Sequence, residues 1–448
     1  MKVTSRLAVL VTVAATGLGL TTLPAAATAA GTAPVWVGRL HAANSEGFAE
    51  AVSPDGSTVF VTGQVRLTVH LSHPEIIAYN AATGAQLWQS EDTAVNGDFG
   101  GIAVSSDGST VYASGSGKPT GGKGNHAVAV AYNAATGAAV WSQSVGKNGE
   151  GASIIAAQDG SAVYITGYDS CGQPVNDCYL IAAFDPSTGA SLWTDQVPNN
   201  GSAGGIVESP DGSTLYVTGS VTPRGLLDSQ YSTMSINAAT GAVNWTTAYE
   251  VPGSAYAGSI AVSPDGSTVY VTGEAEVSGS SYRTIAYNAA TGAKLWMQPL
   301  SVDKTGYPSG LAVSPDGFTV YVTGSVGQSG ESYGTVAYSA TTGTRMWRAI
   351  YAGHGGQASG LAVSPDGATV YVTGDSASAP STGHPEGMPQ YTTVAYGSGT
   401  GAQQWVRHFG DVAKGASHPY GIAVSPDGST VFVTGQSVIN LTTVAYGS

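Results

Sequence analysis

The feature of this sequence that most constrains its fold is an internal repeat. Each copy contains a phrase such as Ile-Ala-Val-Ser-Pro-Asp-Gly-Ser-Thr-Val-Tyr-Val-Thr-Gly, in which two runs rich in β-branched residues flank a turn and indicate a hairpin. Repeats of this period form units that bury their apolar faces against their neighbours. The Asp-Gly pair recurs at intervals of 50 to 61 residues, beginning at Asp55, Asp107, Asp159, Asp211, Asp265, Asp316, Asp366 and Asp427.

The second half of each copy adds two further strands. In the copy that reads AYNAATGAKLW, a third strand ends at Tyr287, a turn contains Thr291 and Gly292, and a fourth strand carries Trp296. Four strands in about 50 residues is the content of one β-propeller blade. The composition agrees, because 63 glycines and only 10% charged residues suit short strands joined by tight turns.

The ends of the chain predict how the ring closes. The eighth copy stops at Ser448, before its tryptophan strand, whereas Trp36 stands alone 19 residues before Asp55. We therefore predict an all-β, closed eight-bladed propeller in which the N-terminal strand completes the last blade and removes the exposed sheet edges. An open solenoid is the alternative. We interpret eight tryptophans as plates that dock neighbouring blades: Trp36, Trp88, Trp141, Trp193, Trp245, Trp296, Trp347 and Trp405.

Two of these phrases resemble known repeats. AYNAATGAKLW resembles the tryptophan-docking repeat of PQQ-type quinoprotein propellers, which also have eight blades, and Ser-Pro-Asp-Gly-Ser-Thr-Val-Tyr-Val-Thr-Gly is similar to the YVTN repeat of bacterial surface-layer propellers. The resemblance covers essentially the whole mature chain. It implies the fold, but both repeats occur in enzymes and in non-enzymatic binding proteins.

The resemblance also raises the question of a cofactor. Quinoprotein dehydrogenases typically place a disulfide of adjacent cysteines against PQQ and use inserted segments for calcium and a catalytic aspartate. Here Cys171 and Cys178 are seven residues apart, and no segment matches those insertions. We therefore predict that the protein uses neither PQQ nor calcium.

The N-terminus predicts secretion. Lys2 and Arg6 precede a mostly apolar stretch over residues 7–20, and Ala27-Thr28-Ala29 has the form of a cleavage site. We expect a signal peptide over residues 1–29 and a single propeller domain over residues 30–448; a retained anchor helix is the alternative. In a secreted chain, the two cysteines favour a structural disulfide over a redox or metal role.

Charge limits the partners. Without Lys2 and Arg6, 13 basic residues face 29 acidic ones, a net charge of −16 that repels nucleic acid and anionic membranes. No apolar run after the N-terminus is long enough to span a bilayer. We expect a monomer that binds a protein or carbohydrate ligand.

The two faces of the predicted disc differ. We number the blades 1 to 8 by their Asp-Gly pairs and name the strands of each blade A to D from the axis outward. Antiparallel order places the A–B and C–D turns on one face, the turn face, and the B–C loops and D–A crossings on the other, the loop face. The turn face is nearly identical in every blade, so a unique site is expected on the loop face.

Several residues are candidates for that site. His354, His384 and His418 fall in neighbouring loops of blades 7 and 8 and, with Glu386, are a candidate ligand-binding or acid–base group. Three unrelated surface histidines are the alternative. A weaker candidate of the same kind is His70, His73 and Glu75.

Aromatic residues also approach the channel. Tyr256, Tyr307 and Tyr420 lie near the starts of inner strands, where an acidic, aromatic surface suits a sugar, a peptide or a cation. A merely solvated loop surface is the alternative. Glu50 and Glu208 replace apolar residues on inner strands, which indicates either the lining of a water-filled channel or a site.

These observations favour a secreted, non-enzymatic binding or scaffold protein of the cell surface that uses its loop face. The alternative is an enzyme with its site on the same face, either a quinoprotein-like oxidoreductase or a polysaccharide lyase or hydrolase.

Overall fold

The structure, a computed structural model, has eight four-stranded antiparallel sheets. It describes residues 33–448 except 41, 43, 69, 94, 120–123, 173–176, 199, 224, 226–227, 252, 277–279, 300–305, 328–331, 378–386 and 411–413. The predicted signal peptide over residues 1–29 lies outside this part of the chain. Within it, no helix is long and apolar enough to cross a membrane.

Blades 1 to 7 are each built from four consecutive strands. In blades 1 to 4 these are β2 (Ser45–Val52), β3 (Thr58–Thr68), β4 (Leu71–Asn80), β5 (Gln86–Glu91), β6 (Val95–Val104), β7 (Thr110–Pro119), β8 (His126–Asn133), β9 (Ala139–Val145), β10 (Glu150–Ala156), β11 (Val163–Ser170), β12 (Asp177–Phe184), β13 (Ser191–Pro198), β14 (Gly201–Glu208), β15 (Thr214–Val221), β16 (Gln230–Asn237) and β17 (Val243–Tyr249). In blades 5 to 7 they are β18 (Ala255–Val262), β19 (Thr268–Glu276), β20 (Ser280–Asn288), β21 (Lys294–Pro299), β22 (Gly306–Val313), β23 (Thr319–Val326), β24 (Ser332–Ser339), β25 (Arg345–Tyr351), β26 (His354–Val363), β27 (Thr369–Ala377), β28 (Pro389–Gly397) and β29 (Gln403–Phe409).

Blade 8 joins the two ends of the chain. Its inner three strands are β30 (Ser417–Val424), β31 (Thr430–Ser437) and β32 (Asn440–Gly447), and its outer strand is β1 (Trp36–Arg39). Trp36 pairs with Ala445 and Arg39 pairs with Thr442 in antiparallel register. The predicted closure by the N-terminal strand is confirmed.

The hydrophobic core is divided among the junctions between blades. Each of eight apolar clusters combines side chains from two neighbouring blades, and the cluster of blades 8 and 1 completes the ring. The inner strands also contact one another around the axis, with β30 adjacent to β2. The predicted eight-bladed propeller is therefore confirmed.

The AYNAATGAKLW phrase forms part of this frame. The Asn288 Oδ1 accepts hydrogen bonds from the backbone N–H and the hydroxyl of Thr291, at 3.0 and 2.9 Å, and so shapes the C–D turn. Gly292 has φ of +69°, and a Cβ there would lie 2.7 Å from the ring of Trp245 in the preceding blade. The turn therefore requires glycine for its backbone conformation and for the close approach of the tryptophan.

Seven tryptophans donate a hydrogen bond across a blade junction in the same way. The Trp296 Nε1 donates to the Ala340 carbonyl oxygen at 2.8 Å, and Trp36 donates to that of Ala81 at 2.7 Å. Corresponding bonds to the next blade are made by Trp88, Trp141, Trp193, Trp245 and Trp347. Trp405 packs against Tyr371 of its own blade and Tyr446 of blade 8.

The repeated aspartates are also structural. The Asp55 Oδ1 accepts hydrogen bonds from the Ser53 hydroxyl at 2.6 Å and from the Ser57 backbone N–H at 3.0 Å. These hydrogen bonds lower the pKa of Asp55, which keeps the carboxylate ionised. The turn face thus carries the same charged turn in blade after blade.

Candidate functional site

The inner strands carry a β-bulge near the loop face, and the extra residue of each bulge is partly exposed beside the axis. Six of these eight bulge residues are small, and two, in adjacent blades, are aromatic. The bulge row consists, from blade 1 to blade 8, of Phe48, Gly100, Ala152, Gly204, Gly258, Ser309, Ser359 and Tyr420.

The two aromatic residues contact each other. The ring centroids of Phe48 and Tyr420 are 6.0 Å apart with a 58° angle between planes, across the junction of blades 1 and 8, which we call the closing seam. The bulge row therefore has aromatic residues on one side only. Tyr420 was a sequence candidate and Phe48 was not. Phe48 could have been found by comparing the residues seven positions before each turn aspartate.

Two residues before its bulge residue, toward the loop face, each strand A has a residue that pairs with one of strand B, and these pairs surround the opening. Five of these sixteen residues are carboxylates, none is lysine or arginine, and His418 is the one histidine. This mouth ring consists of the strand A residues Glu46, Asp98, Glu150, Ser202, Tyr256, Tyr307, Gln357 and His418 and their strand B partners Gln64, Ser116, Tyr168, Ser220, Glu274, Ser325, Asp375 and Gln436.

Side chains of the mouth ring interact between blades at the closing seam. The Glu46 carboxylate accepts hydrogen bonds from Gln64 Nε2 at 3.0 Å and from Gln436 Nε2 of blade 8 at 3.3 Å. The Arg66 guanidinium lies 3.6 Å from the same carboxylate. Neutral amide donors therefore hold Glu46 in place beside the aromatic pair.

A histidine and a carboxylate lie close together at the junction of blades 7 and 8. The His418 Nδ1 of blade 8 lies 3.6 Å from the Asp375 Oδ2 of blade 7. Burial, followed by the nearby carboxylates of Glu46 and Asp375, raises the pKa of Tyr420. The phenol of Tyr420 is therefore within electrostatic reach of carboxylates on blades 1 and 7.

The other two candidate tyrosines lie elsewhere in the mouth ring. Tyr256 and Tyr307 are 45% and 50% exposed, at the starts of the inner strands of blades 5 and 6. The structure thus places all three tyrosines around the opening but does not bring Tyr256 and Tyr307 to Tyr420.

The predicted histidine cluster is only partly covered by the described residues. His354 begins β26, where its backbone pairs with Ala377, while its side chain, His384 and Glu386 lie outside them. Convergence of the three histidines stays a prediction. Among the side chains that are described, no group of three or more His, Cys, Asp or Glu is arranged to hold a metal ion.

The weaker candidate lies on β4 of blade 1 and in the connection before it. The His73 Nδ1 is 2.6 Å from the Glu91 Oε1, and His70 is exposed. Glu75 is fully buried opposite Glu91, and burial, reinforced by the charge of Glu91, raises its pKa to about 8. This group lies away from the mouth ring.

The two glutamates on inner strands do not line a water-filled channel. Glu50 is 4% exposed, and its carboxylate packs against Gly421 in the closing seam, where a Cβ on Gly421 would overlap it. Burial raises the pKa of Glu50 well above its usual range, an effect that nearby Thr434 partly offsets.

Glu208 has a structural partner on the turn face. It accepts a hydrogen bond at 3.0 Å from the backbone N–H of Gln158 in blade 3. Most other blades have proline at the Gln158 position, which has no N–H to satisfy. The unusual glutamate therefore compensates for an unusual turn residue in the preceding blade.

The cysteines form a disulfide between the end of strand B and the start of strand C in blade 3, on the loop face. It closes the loop between Cys171 and Cys178, whose residues 173–176 lie outside the described part. The bond therefore braces one loop of this face, as a structural disulfide would.

A cavity of 180 Å³ opens on the turn face between blades 1 and 8. Its lining includes the repeated turn residues Asp55, Ser425 and Asp427. It is smaller than the roughly 300 to 1,000 Å³ of a usual ligand pocket. The mouth ring therefore remains the stronger candidate.

The fold and the junction contacts define a closed eight-bladed β-propeller of the tryptophan-docking class. Residues 72–177 and 125–442 match the model of the PQQ-type repeat family described as outer membrane protein assembly factor BamB, and the chain belongs to that family. No curated protein matches the chain.

Solved structures show the same architecture at low identity. Sqt1 of Chaetomium thermophilum, bound to the N-terminus of the ribosomal protein L10, aligns with a TM-score of 0.66 and 12% identity over 92% of this chain and 99% of that chain. A second Sqt1 structure from the same organism gives 0.65 and 11% over 94% and 100%. At these identities the likeness shows the fold alone.

Proposed function

We propose that this protein is a secreted, non-enzymatic binding or scaffold protein that holds a protein partner at the loop-face end of its axis. The observation that carries the proposal is the asymmetry of that end. The bulge row has its two aromatic residues, Phe48 and Tyr420, in blades 1 and 8, with Glu46 and Asp375 of the mouth ring nearby, whereas the turn face repeats one motif.

Two other facts support the choice of class and compartment. The matching family model carries the description outer membrane protein assembly factor BamB. The similar propeller Sqt1 was solved with the N-terminus of the ribosomal protein L10 bound. The disulfide of Cys171 and Cys178 favours an oxidising compartment, in agreement with the N-terminal sequence.

Site-specific photo-crosslinking tests the proposal with a matched pair in blade 6. Tyr307 lies at the loop-face end of the A–B hairpin and is 50% exposed, and Phe318 lies at the turn-face end and is 71% exposed. A photoreactive phenylalanine replaces one or the other, and the protein is incubated with the extracellular proteins of its source.

A discrete protein adduct is expected from position 307 and not from position 318. Equal labelling from both positions, or none from either, would overturn the proposal. Dye-linked oxidation of alcohols on addition of PQQ and calcium would instead support the enzyme class.

A further inference from the structure

We propose that the mouth ring binds a lysine or arginine side chain of the partner, over the Phe48–Tyr420 pair and between Glu46 and Asp375. This inference rests on the proposed function and names the chemistry of its ligand.

The first argument is the sign of the charge around the opening. The mouth ring contains five carboxylates and no lysine or arginine among its sixteen positions, and the guanidinium of Arg66 offsets part of this charge beside Glu46. An opening lined mainly by one sign of charge focuses the field and concentrates ligands of the opposite sign. The complementary occupant is therefore a cation.

The second argument is the position of the aromatic pair. The faces of phenylalanine and tyrosine attract an ammonium or guanidinium group, more strongly where the site is partly desolvated. Phe48 and Tyr420 are half-buried and contact each other, while the remaining six bulge residues are glycine, alanine or serine. Within the bulge row, a cation gains this contact only at the closing seam.

The third argument is the support of the two carboxylates. Glu46 is held by amide donors on strands of blades 1 and 8, and Asp375 lies near His418 on the next junction. The Arg66 side chain, which is 49% exposed, already brings a guanidinium to 3.6 Å from Glu46. A cation of the partner would therefore share Glu46 with Arg66 and have Asp375 as its second carboxylate.

The same seam also contains a buried acid. Glu50 lies two residues beyond Phe48 on β2. Burial raises the pKa of Glu50 well above its usual range, an effect that Thr434 partly offsets, and so favours the neutral, protonated form. A cation seated on the aromatic pair would bring positive charge to this seam and favour the ionised form of Glu50.

The probe is a fluorescein-labelled peptide, (Gly-Ser-Lys)₄, compared by anisotropy with its Nε-acetylated form and with (Gly-Ser-Glu)₄. The mature protein is expected to bind the lysine peptide at least about tenfold more tightly than either control, with an affinity that falls as salt is raised.

Two variants locate the site, and each has a control of the same chemistry on the turn face. Tyr420→Ala and Asp375→Asn should each weaken binding of the lysine peptide about five- to tenfold. Phe318→Ala and Asp366→Asn should change it less than about twofold, because they lie at the other face. Thermal melting verifies that each variant is folded; Asp375→Asn, at a partly exposed carboxylate, provides the test if Tyr420→Ala unfolds.

Equal binding of the lysine and acetylated peptides, or equal loss from variants on both faces, would overturn this inference. So would binding of neutral chitotetraose without binding of the lysine peptide. In either case, a crosslinked adduct from position 307 and not from position 318 would still support the proposed function. Equal adducts from both positions would overturn the proposed function as well.

Discussion

The closing seam and the junction of blades 5 and 6 share one frame but differ in what the frame contains. In both, a tryptophan donates to a carbonyl of the next blade, at 2.7 Å from Trp36 and 2.8 Å from Trp296. The inner strands differ, because Glu50 at the closing seam is replaced by Leu311 between blades 5 and 6.

The bulge row differs in the same way. The Phe48–Tyr420 pair of the closing seam corresponds to Ser309 and Gly258 at the other junction. The docking contacts therefore do not depend on what the axial positions carry. A repeated frame of this kind allows a single junction to specialise without changing the blades that support it.

The largest expected effect comes from breaking the frame at each junction. Trp36→Ala should lower the free energy of unfolding by about 3–5 kcal/mol, the usual cost of truncating a buried tryptophan. Trp296→Ala is the matched variant, measured in the same guanidinium titration. We expect the Trp36 variant to be the less stable of the two, because β1 has only four residues and no covalent C–D turn joins it to β32. A smaller loss from Trp36→Ala would show that strand pairing closes the ring without its tryptophan.

The second prediction concerns Glu75, the buried acid on the third strand of blade 1. Glu75 has its pKa raised to about 8 by burial and by Glu91, so the folded state retains a proton that the unfolded state releases above about pH 4.5. Its contribution to stability is therefore lost as pH rises from about 4.5 to 8, by an amount on the order of 4 kcal/mol.

Glu75→Val tests this directly, since Val128 occupies the equivalent position in blade 2. The stability of Glu75→Val should not fall as pH rises from about 4.5 to 8. Above pH 8 its free energy of unfolding should therefore exceed that of the parent protein. Glu91→Gln removes the neighbouring charge, and with it the ion pair with His73, but leaves Glu75 buried, so it should show a smaller change in the same direction. Parallel pH profiles of parent and Glu75→Val proteins would contradict the prediction.

The third prediction separates two demands on the turn glycines. A Cβ on Gly84 would lie 2.5 Å from the Trp36 ring, whereas a Cβ on Gly160 would have no neighbour within 4 Å, and the φ angles are +71° and +73°. Gly160→Ala should cost about 1–2 kcal/mol from backbone strain. Gly84→Ala should cost about 1–3 kcal/mol more because of the added overlap. Equal losses in urea denaturation would mean that the tryptophan moves aside freely.

The smallest effect is expected where one irregular residue compensates for another. Glu208→Val leaves the Gln158 N–H without its acceptor and should cost about 1 kcal/mol. Adding Gln158→Pro removes that N–H and restores the pattern of most other blades, so the double variant should regain most of the loss. Additive losses in the double-mutant cycle would show that the two positions are independent.

The fold could be predicted from the sequence because every blade repeats the signals that build it. The eight Asp-Gly turns gave the period, and the isolated Trp36 predicted the closing strand that pairs with β32. The candidate site was predicted less completely. Tyr256, Tyr307, Tyr420 and His418 do lie in the bulge row or mouth ring, yet Phe48 escaped notice.

The reason is that the site depends on which residues meet across a junction. Phe48 and Tyr420 are 372 positions apart in the sequence and touch only because the ring closes. Glu50 could be recognised as unusual, but its position against Gly421 of blade 8, away from water, follows from the same closure.

The sequence by itself therefore determined the blade, the number of blades and the way the ring ends, since turn chemistry and strand periodicity act within about 50 residues. Only the tertiary structure decided which axial side chains become neighbours and which carboxylates are buried, because those depend on contacts between blades at opposite ends of the chain.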